Sequence, residues 1–220
     1  MSPPIKENSR ALCWSCQKDP GKGHFCQMCR KIQPLGGEDY FSFLGLPKKM
    51  TLDASALEKN FYELSRRFHP DFFHWESDKE KLVSLEKSAF LNKAYHTLKN
   101  SIARAEYLLD LDVPAKAKER TQIAPALVTE IFEIQEMVEE GKNTKDPNLK
   151  AKLQEAQKEV EGKIAARGGL LERHFKEWDA RGNDPTQKQA LAKTIRTTID
   201  EITYLKNLLQ SIQTGGQVRH

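Results

Sequence analysis

Four cysteines and one tripeptide hold most of the reactive side-chain chemistry in this sequence. Cys13 and Cys16 are separated by two residues, as are Cys26 and Cys29, and the chain has no other cysteine. Paired CxxC knuckles can bring four thiolates to the corners of a tetrahedron, the donor set of a structural zinc site with no open position for a substrate. Zn2+ is therefore the expected cofactor, structural in role and held by Cys13, Cys16, Cys26 and Cys29. An iron centre is the other claimant for such soft ligands. Disulfides should not persist in a chain without a secretion signal, and a thioredoxin-like redox pair needs a strand-turn-helix context that is missing here. His24, beside Cys26, reads as a surface residue and not as a fifth ligand. A segment of about two dozen residues cannot bury a core alone, so metal binding should supply much of its folding free energy.

The tripeptide is His69-Pro70-Asp71. With His74 it places two imidazoles and a carboxylate on one short stretch, as a metal or acid-base site would, but no companion cleft residues are visible and no enzyme is expected. Alone, Pro and Asp mark an ordinary turn; the flanking segments decide what the turn is for. Leu57, Phe61, Leu64 and Phe68 recur at helical spacing. Asp53 can cap that helix, and Pro70 stops it at about Phe68 because proline disfavours helical geometry in the residue before it. A second helix is expected after Ser77, which forms a capping box with Glu80, and its apolar side is assigned to Leu82, Leu85, Leu91, Tyr95 and Leu98. Two such helices fold into an antiparallel hairpin that pushes residues 69 to 71 into solvent.

Around that hairpin the sequence resembles J domains. The resemblance rests on Asp39-Tyr40-Phe41-Ser42-Phe43-Leu44-Gly45-Leu46, on His69-Pro70-Asp71, and on Leu91-Asn92-Lys93-Ala94-Tyr95-His96-Thr97-Leu98. It implies that His69, Pro70 and Asp71 dock on a DnaK-type ATPase chaperone and stimulate its hydrolysis of ATP. Lys59, Arg66 and Arg67, on the helix before the loop, are expected to steer an acidic chaperone surface, with Glu58 and Glu63 offsetting them. Phe72 and Phe73 depart from the Lys that commonly follows Asp in general J proteins, which argues against a broad client range.

Downstream, Asn100 to Leu109 reads as a short apolar joining helix and Pro114 to Pro125 as a connection. Three longer helices follow. Leu127, Ile131, Ile134 and Val138 mark the first. Asp146-Pro147 starts the second, with Leu149, Leu153, Ala156, Val160, Ile164, Leu171, Phe175 and Trp178 inward and Gly162, Gly168 and Gly169 expected to weaken or bend it. Asp184-Pro185 starts the third, with Leu191, Ile195, Ile199, Ile202 and Leu209 inward. Turning about 100° per residue from Leu127 puts Val128, Thr129, Phe132, Glu133, Glu136 and Glu140 on the flank and back of the first helix. Tyr204 likewise falls opposite the apolar stripe of the third.

The order of these parts, with Arg104-Ala105-Glu106-Tyr107-Leu108-Leu109 in the joining helix, is similar to HscB, the co-chaperone family of iron-sulfur cluster assembly. Cys13-Trp14-x-Cys16 and Phe25-Cys26-x-x-Cys29 ahead of a J domain are similar to the N-terminal extension of its eukaryotic-type members. The resemblance implies a HscA- or DnaK-type chaperone as one partner and an IscU-type scaffold protein as the other. It assigns scaffold binding to Val128, Thr129, Phe132, Glu133, Glu136, Glu140 and Tyr204. Val128 and Thr129 are smaller or more polar than the Leu and Met often found there.

The expected fold class is all-α: a J-domain helical hairpin joined to a C-terminal three-helix bundle, with a small N-terminal zinc-binding module. The expected limits are 1–37 for the module, 38–113 for the J domain with its joining helix, and 114–220 for the bundle. Formal charge is +4, all of it from residues 1–37, where six Lys and Arg face two acids. No basic stripe for nucleic acid runs elsewhere, which weighs against a zinc-dependent nucleic-acid binder. A general J protein would carry a Gly/Phe-rich linker and CxxCxGxG repeats after the J domain, and neither is present. No apolar run approaches membrane-spanning length, so no membrane contact is expected. A cytoplasmic monomer is the default.

Overall fold

The computed structural model describes residues 12–113, 124–143, 146–181 and 185–214. Most of the expected connection from Pro114 to Pro125 and the capping residue Asp184 lie outside them. Among the described residues the structure is helical, with one isolated antiparallel bridge between Phe25 and Ile32. The chain divides into two compact units. The first holds residues 1–48 and 52–104; the second holds 49–51 and 105–220. The division falls inside the joining helix.

In the first unit, α1 (Tyr40–Phe43) is capped by the Asp39 carboxylate, which accepts from the Ser42 N–H, and it buries Phe41 and Phe43. Gly45, at φ +66°, turns the chain out of α1 in a conformation that a side chain would strain. Helix α2 (Ala54–Phe68) begins where Asp53 accepts from the Ser55 N–H and ends one residue before His69. It packs against α3 (Asp78–Lys99) to form the expected hairpin. The Asn60 side chain donates to the Leu44 carbonyl (2.8 Å), tying α2 to the end of α1.

The buried side of α3 agrees with the expected stripe at Leu91, Tyr95 and Leu98 and differs from it in the first turns. Leu82 and Leu85 are exposed. The inward stripe instead runs through Glu80, Val83, Ser84, Lys87, Leu91, Ala94, Tyr95 and Leu98. Ser84 and Ser88 turn their hydroxyls to the Phe68 carbonyl (2.7 and 3.0 Å), and Glu80 and Lys87 face the cysteine module. A polar residue is stable inside only when a partner meets it. Here the partners come from other elements, 16 to 63 positions away in the sequence, so the periodicity of apolar residues holds at Leu91, Tyr95 and Leu98 and misses the phase at Leu82 and Leu85.

In the second unit, α4 (Ser101–Asp112) contributes its later residues, and ion pairs join Asp110 to Arg196 (3.2 Å) and Asp112 to Lys188 (3.1 Å). Three long helices follow: α5 (Pro125–Asn143), α6 (Pro147–Ala180) and α7 (Pro185–Gln213), each packed against the other two. Leu127, Ile134 and Val138 of α5, Ala156 and Val160 of α6, and Leu205 and Leu208 of α7 form one core. Each of the Leu, Ile and Val side chains among them, fully buried, is worth about 1.5–3 kcal/mol over exposure. Asp146 caps α6 by accepting from the Asn148 N–H. Helix α6 runs unbroken through Gly162, Gly168 and Gly169, where an added Cβ would meet nothing within 4 Å among the described residues. The Asp179 carboxylate accepts from the backbone N–H groups of Met50 (2.7 Å) and Thr51 (2.8 Å), drawing residues 49–51 into this unit.

Candidate functional site

Pro70 opens a short 3-10 turn, Pro70–Phe73, that links α2 to α3. His69 stands at its N-cap: the ring Nδ1 accepts from the Asp71 N–H (3.3 Å), and the Asp71 carboxylate lies 3.5 Å from the same nitrogen. Both side chains remain available, His69 at 53% and Asp71 at 87% exposure. The neighbouring Phe73 is buried and anchors the turn, whereas Phe72 and Trp75 point outward, Trp75 at 93% exposure. Trp75 was not singled out by sequence reasoning, because a lone aromatic in a polar loop gives no periodic signal. Lys59 and Arg66 are exposed on α2; Arg67 is exposed too, but its guanidinium rests 4.8 Å over the Phe25 ring.

Behind this turn lies the cysteine cluster. The sulfurs of Cys13, Cys16, Cys26 and Cys29 all lie within 4.8 Å of one another. The Cys13–Cys29 and Cys16–Cys26 separations are 3.6 and 3.8 Å. The two knuckles repeat the same backbone pattern. Gln17 N–H donates to the Cys13 carbonyl and Cys13 N–H to the Lys18 carbonyl; Arg30 N–H donates to the Cys26 carbonyl and Cys26 N–H to the Lys31 carbonyl. Gln17 and Arg30 both adopt φ near +60°, an uncommon choice for residues with a side chain. Burial opposes ionisation of Cys13, but the Cys16 and Ser15 backbone N–H groups and the adjoining thiols outweigh it and take this thiol down to about 6. Cys16 has an N–H partner at Lys18, yet burial and the other three thiols push it up to about 11. Four sulfurs this close repel one another as thiolates, and a divalent cation relieves that repulsion. The donor set fits a metal.

His24 is not a surface residue. It lies outside the cysteine cluster, half-buried, with its ring 4.6 Å from Phe43 and 4.9 Å from Phe68. Burial and the adjacent Lys87 hold its imidazole down at about 4, so at neutral pH it is uncharged. Its two nitrogens then divide the work: Nε2–H donates to the Phe43 carbonyl (3.1 Å), and Nδ1 accepts from the Lys87 ammonium (3.2 Å). Lys87 itself has no exposed surface, and burial pushes it down to about 8 against a weaker upward pull from Glu38.

That shift has a sign. From pH 8, the folded value of Lys87, to about 10.5, its ordinary value, the unfolded chain binds the proton that the folded chain has released. The stability contributed by this site therefore rises with pH across that window, and below it the burial cost is paid in full. Lys87→Met is expected to gain stability relative to the parent at neutral pH. Denaturant titrations from pH 7 upward should show the gap between the two proteins narrowing by on the order of 2 kcal/mol. A gap independent of pH would mean that Lys87 titrates as an exposed lysine does.

On the second unit, Val128, Thr129, Phe132, Glu133, Glu136 and Glu140 are all exposed along α5, with Phe132 at 62%. Tyr204 is exposed on α7, next to buried Leu205. The opposite flank of α5 is engaged with the bundle: Glu130 pairs with Lys163, which also pairs with Glu159. An apolar and aromatic patch with carboxylates beside it is thus presented outward, on a helix held from behind by the core.

Comparison with known proteins relates both units to one kind of protein. Residues 39–107 match the DnaJ domain, and residues 124–213 match the HSCB C-terminal oligomerisation domain. The iron-sulfur cluster co-chaperone protein HscB homolog of Arabidopsis thaliana is 34% identical over 153 residues, 69% of this chain and 60% of that protein. The co-chaperone protein HscB homolog of Vibrio cholerae is 40% identical over 110 residues, 50% of this chain and 64% of that protein. The chain therefore matches less than two thirds of the length of these relatives. Among solved structures, the human co-chaperone protein HscB superposes with a TM-score of 0.65 at 26% identity, covering 92% of this chain and 97% of that one. The chaperone HscB from Vibrio cholerae gives 0.54 at 26% identity, covering 80% and 96%. No helix among the described residues is long and apolar enough to cross a membrane.

Proposed function

We infer that this chain, an HscB-family J-domain protein, stimulates the ATPase of a DnaK/HscA-type chaperone and delivers an IscU-type scaffold protein to it for iron-sulfur cluster assembly and transfer. The observation that carries this reading is the His69–Asp71 turn, held out in solvent at the end of a hairpin that matches the DnaJ domain, on a chain that also matches the HSCB C-terminal domain. The protein makes and breaks no bonds. His69, Pro70 and Asp71 engage the chaperone and favour its hydrolysis-competent state, while Lys59 and Arg66 steer the encounter electrostatically. The exposed face of α5, with Tyr204 of α7, holds the scaffold. Joining the two surfaces in one chain raises the effective concentration of scaffold at the chaperone without any new contact.

Zn2+ is the metal that Cys13, Cys16, Cys26 and Cys29 are proposed to hold, and it contributes folding free energy and no catalysis. Two rival readings find less support. A general J protein for unfolded clients does not need an acidic-aromatic face on α5, and a nucleic-acid binder needs more than the basic end of this chain.

The scaffold half of the reading is tested at Phe132. Its ring is exposed, so Phe132→Ala should leave the bundle's stability unchanged. If the ring is a buried anchor in the complex, its loss weakens scaffold binding by about 1–2 kcal/mol, roughly 5- to 30-fold in Kd by calorimetric titration. Unchanged affinity would return Phe132 to the ordinary exposed surface.

A further inference from the structure

The cysteine module is more than an appendage to the first unit: its side chains reach both stems of the His69–Asp71 turn. On the stem before the turn, the Phe25 ring stacks on Phe68 (6.0 Å) and lies under the Arg67 guanidinium, while His24 meets the edge of Phe68. On the stem after it, Lys31 Nζ donates to both Glu76 and Glu80 (3.0 Å each), and the Lys79 ammonium sits 4.5 Å over the Trp14 ring. Glu80 is almost fully buried; burial pushes its carboxyl up, but Lys31 and Ser77 together hold it below the usual range. Its Oε2 also accepts from the Ser77 hydroxyl (2.9 Å), so one carboxylate joins the module to the N-cap of α3.

These contact residues are placed by the knuckles themselves. Trp14 lies within the first CxxC and is fixed by its indole N–H, which donates to the Ile32 carbonyl (2.7 Å). Phe25 immediately precedes Cys26, and Lys31 follows Cys29 by two positions, its own carbonyl accepting from the Cys26 N–H. Helix α3 is matched to the module in turn. It buries Glu80 and Lys87 on the side where Lys31 and His24 meet them, although buried charges are expensive without partners. A module that merely trailed from the J domain would leave α3 free to be apolar there.

We propose that the tetracysteine module is a positioning brace for the His69–Asp71 turn, with Trp14, Phe25 and Lys31 holding its two stems and the metal-closed knuckles holding those three residues. Chaperone stimulation then depends on the module, though no module residue needs to touch the chaperone. This inference rests on the reading of the turn as the chaperone-docking element. It adds a role for the module to that reading.

Lys31→Met removes both ion pairs and leaves all four cysteines in place, and Lys31→Arg restores the charge. A Cys26→Ser variant removes a ligand instead. The full chain is used throughout, with bound zinc counted by mass spectrometry, amide exchange followed at residues 69–77, and ATPase stimulation titrated with a DnaK-type chaperone. Lys31→Met is expected to retain its zinc and bind the scaffold as the parent does. Its turn amides should exchange roughly threefold to tenfold faster, and a correspondingly higher concentration should be needed for half-maximal stimulation. Lys31→Arg should recover both, and Cys26→Ser should lose zinc and loosen the same amides.

Parent-like exchange and stimulation in a zinc-loaded Lys31→Met would overturn the brace, as would a zinc-free Cys26→Ser whose turn amides exchange like the parent's. If the parent protein fails to stimulate the chaperone, the docking reading fails, and amide exchange alone still decides whether the module holds the turn.

Discussion

His69→Gln is expected to abolish stimulation of the chaperone ATPase while scaffold binding and fold stability stay at parent levels. The local geometry makes this substitution informative. In the parent, His69 Nδ1 is engaged locally by the Asp71 N–H, which leaves Nε2 as the ring nitrogen to face a partner. A Gln carbonyl can accept from the same Asp71 N–H, and Pro70 still sets the turn, so a stability change beyond about 0.5 kcal/mol is not expected for a half-exposed side chain. What Gln lacks is the planar ring and the placement of its outward nitrogen. Single-turnover hydrolysis with saturating co-chaperone separates the cases: stimulation equal to the parent's would defeat the assignment of His69. A deficit overcome by more co-chaperone would assign it to affinity and not to promotion of hydrolysis.

Much of the scaffold for that result could be read from the chain alone, for local reasons. Asp53, Ser77 and Asp146 each cap a helix through an oxygen that accepts from an N–H two or three residues on, which is a short-range property. Pro70 ends α2 through its own ring. Leu57, Leu64 and Phe68 were placed inward by periodicity and are buried. The Cys13, Cys16, Cys26 and Cys29 spacing announced a cluster, and the four sulfurs do converge.

What escaped was set by partners distant in sequence. Ser77 makes half of the expected capping box: its hydroxyl accepts from the Glu80 N–H, but the Glu80 carboxylate turns to that hydroxyl and to Lys31. His24 reads from sequence as a surface residue because it is polar and titratable, and Lys87, for the same reason, is not in the expected stripe of α3. They are inside because each satisfies the other, 63 positions apart. Leu82 and Leu85 looked like core for the complementary reason: apolar residues at helical spacing are evidence of a stripe, and the true stripe of α3 is partly polar. The α5 face was legible from periodicity only as a pattern of exposure, and its assignment to scaffold binding comes from the family resemblance.

The largest stability effect is expected one residue before the turn. Phe68 is completely buried, between α1, α3 and the cysteine module. Its ring centroid lies 5.8 Å from Phe43, 4.9 Å from His24 and 6.0 Å from Phe25, with the Lys87 ammonium 5.5 Å away. Its carbonyl, accepting from Ser84 and Ser88, does not depend on the side chain, so Phe68→Ala removes the ring and leaves the backbone junction intact. The cavity that remains faces a buried ammonium, which has lost the Phe68 ring and keeps Phe43 and His24 as neighbours. A buried Phe→Ala change costs about 3–5 kcal/mol, against about 5–15 kcal/mol for a whole domain. Urea unfolding read from the amides of the first unit should show a loss of that size. A loss below about 1 kcal/mol would mean that α2, α3 and the cysteine module are held together by something other than this ring.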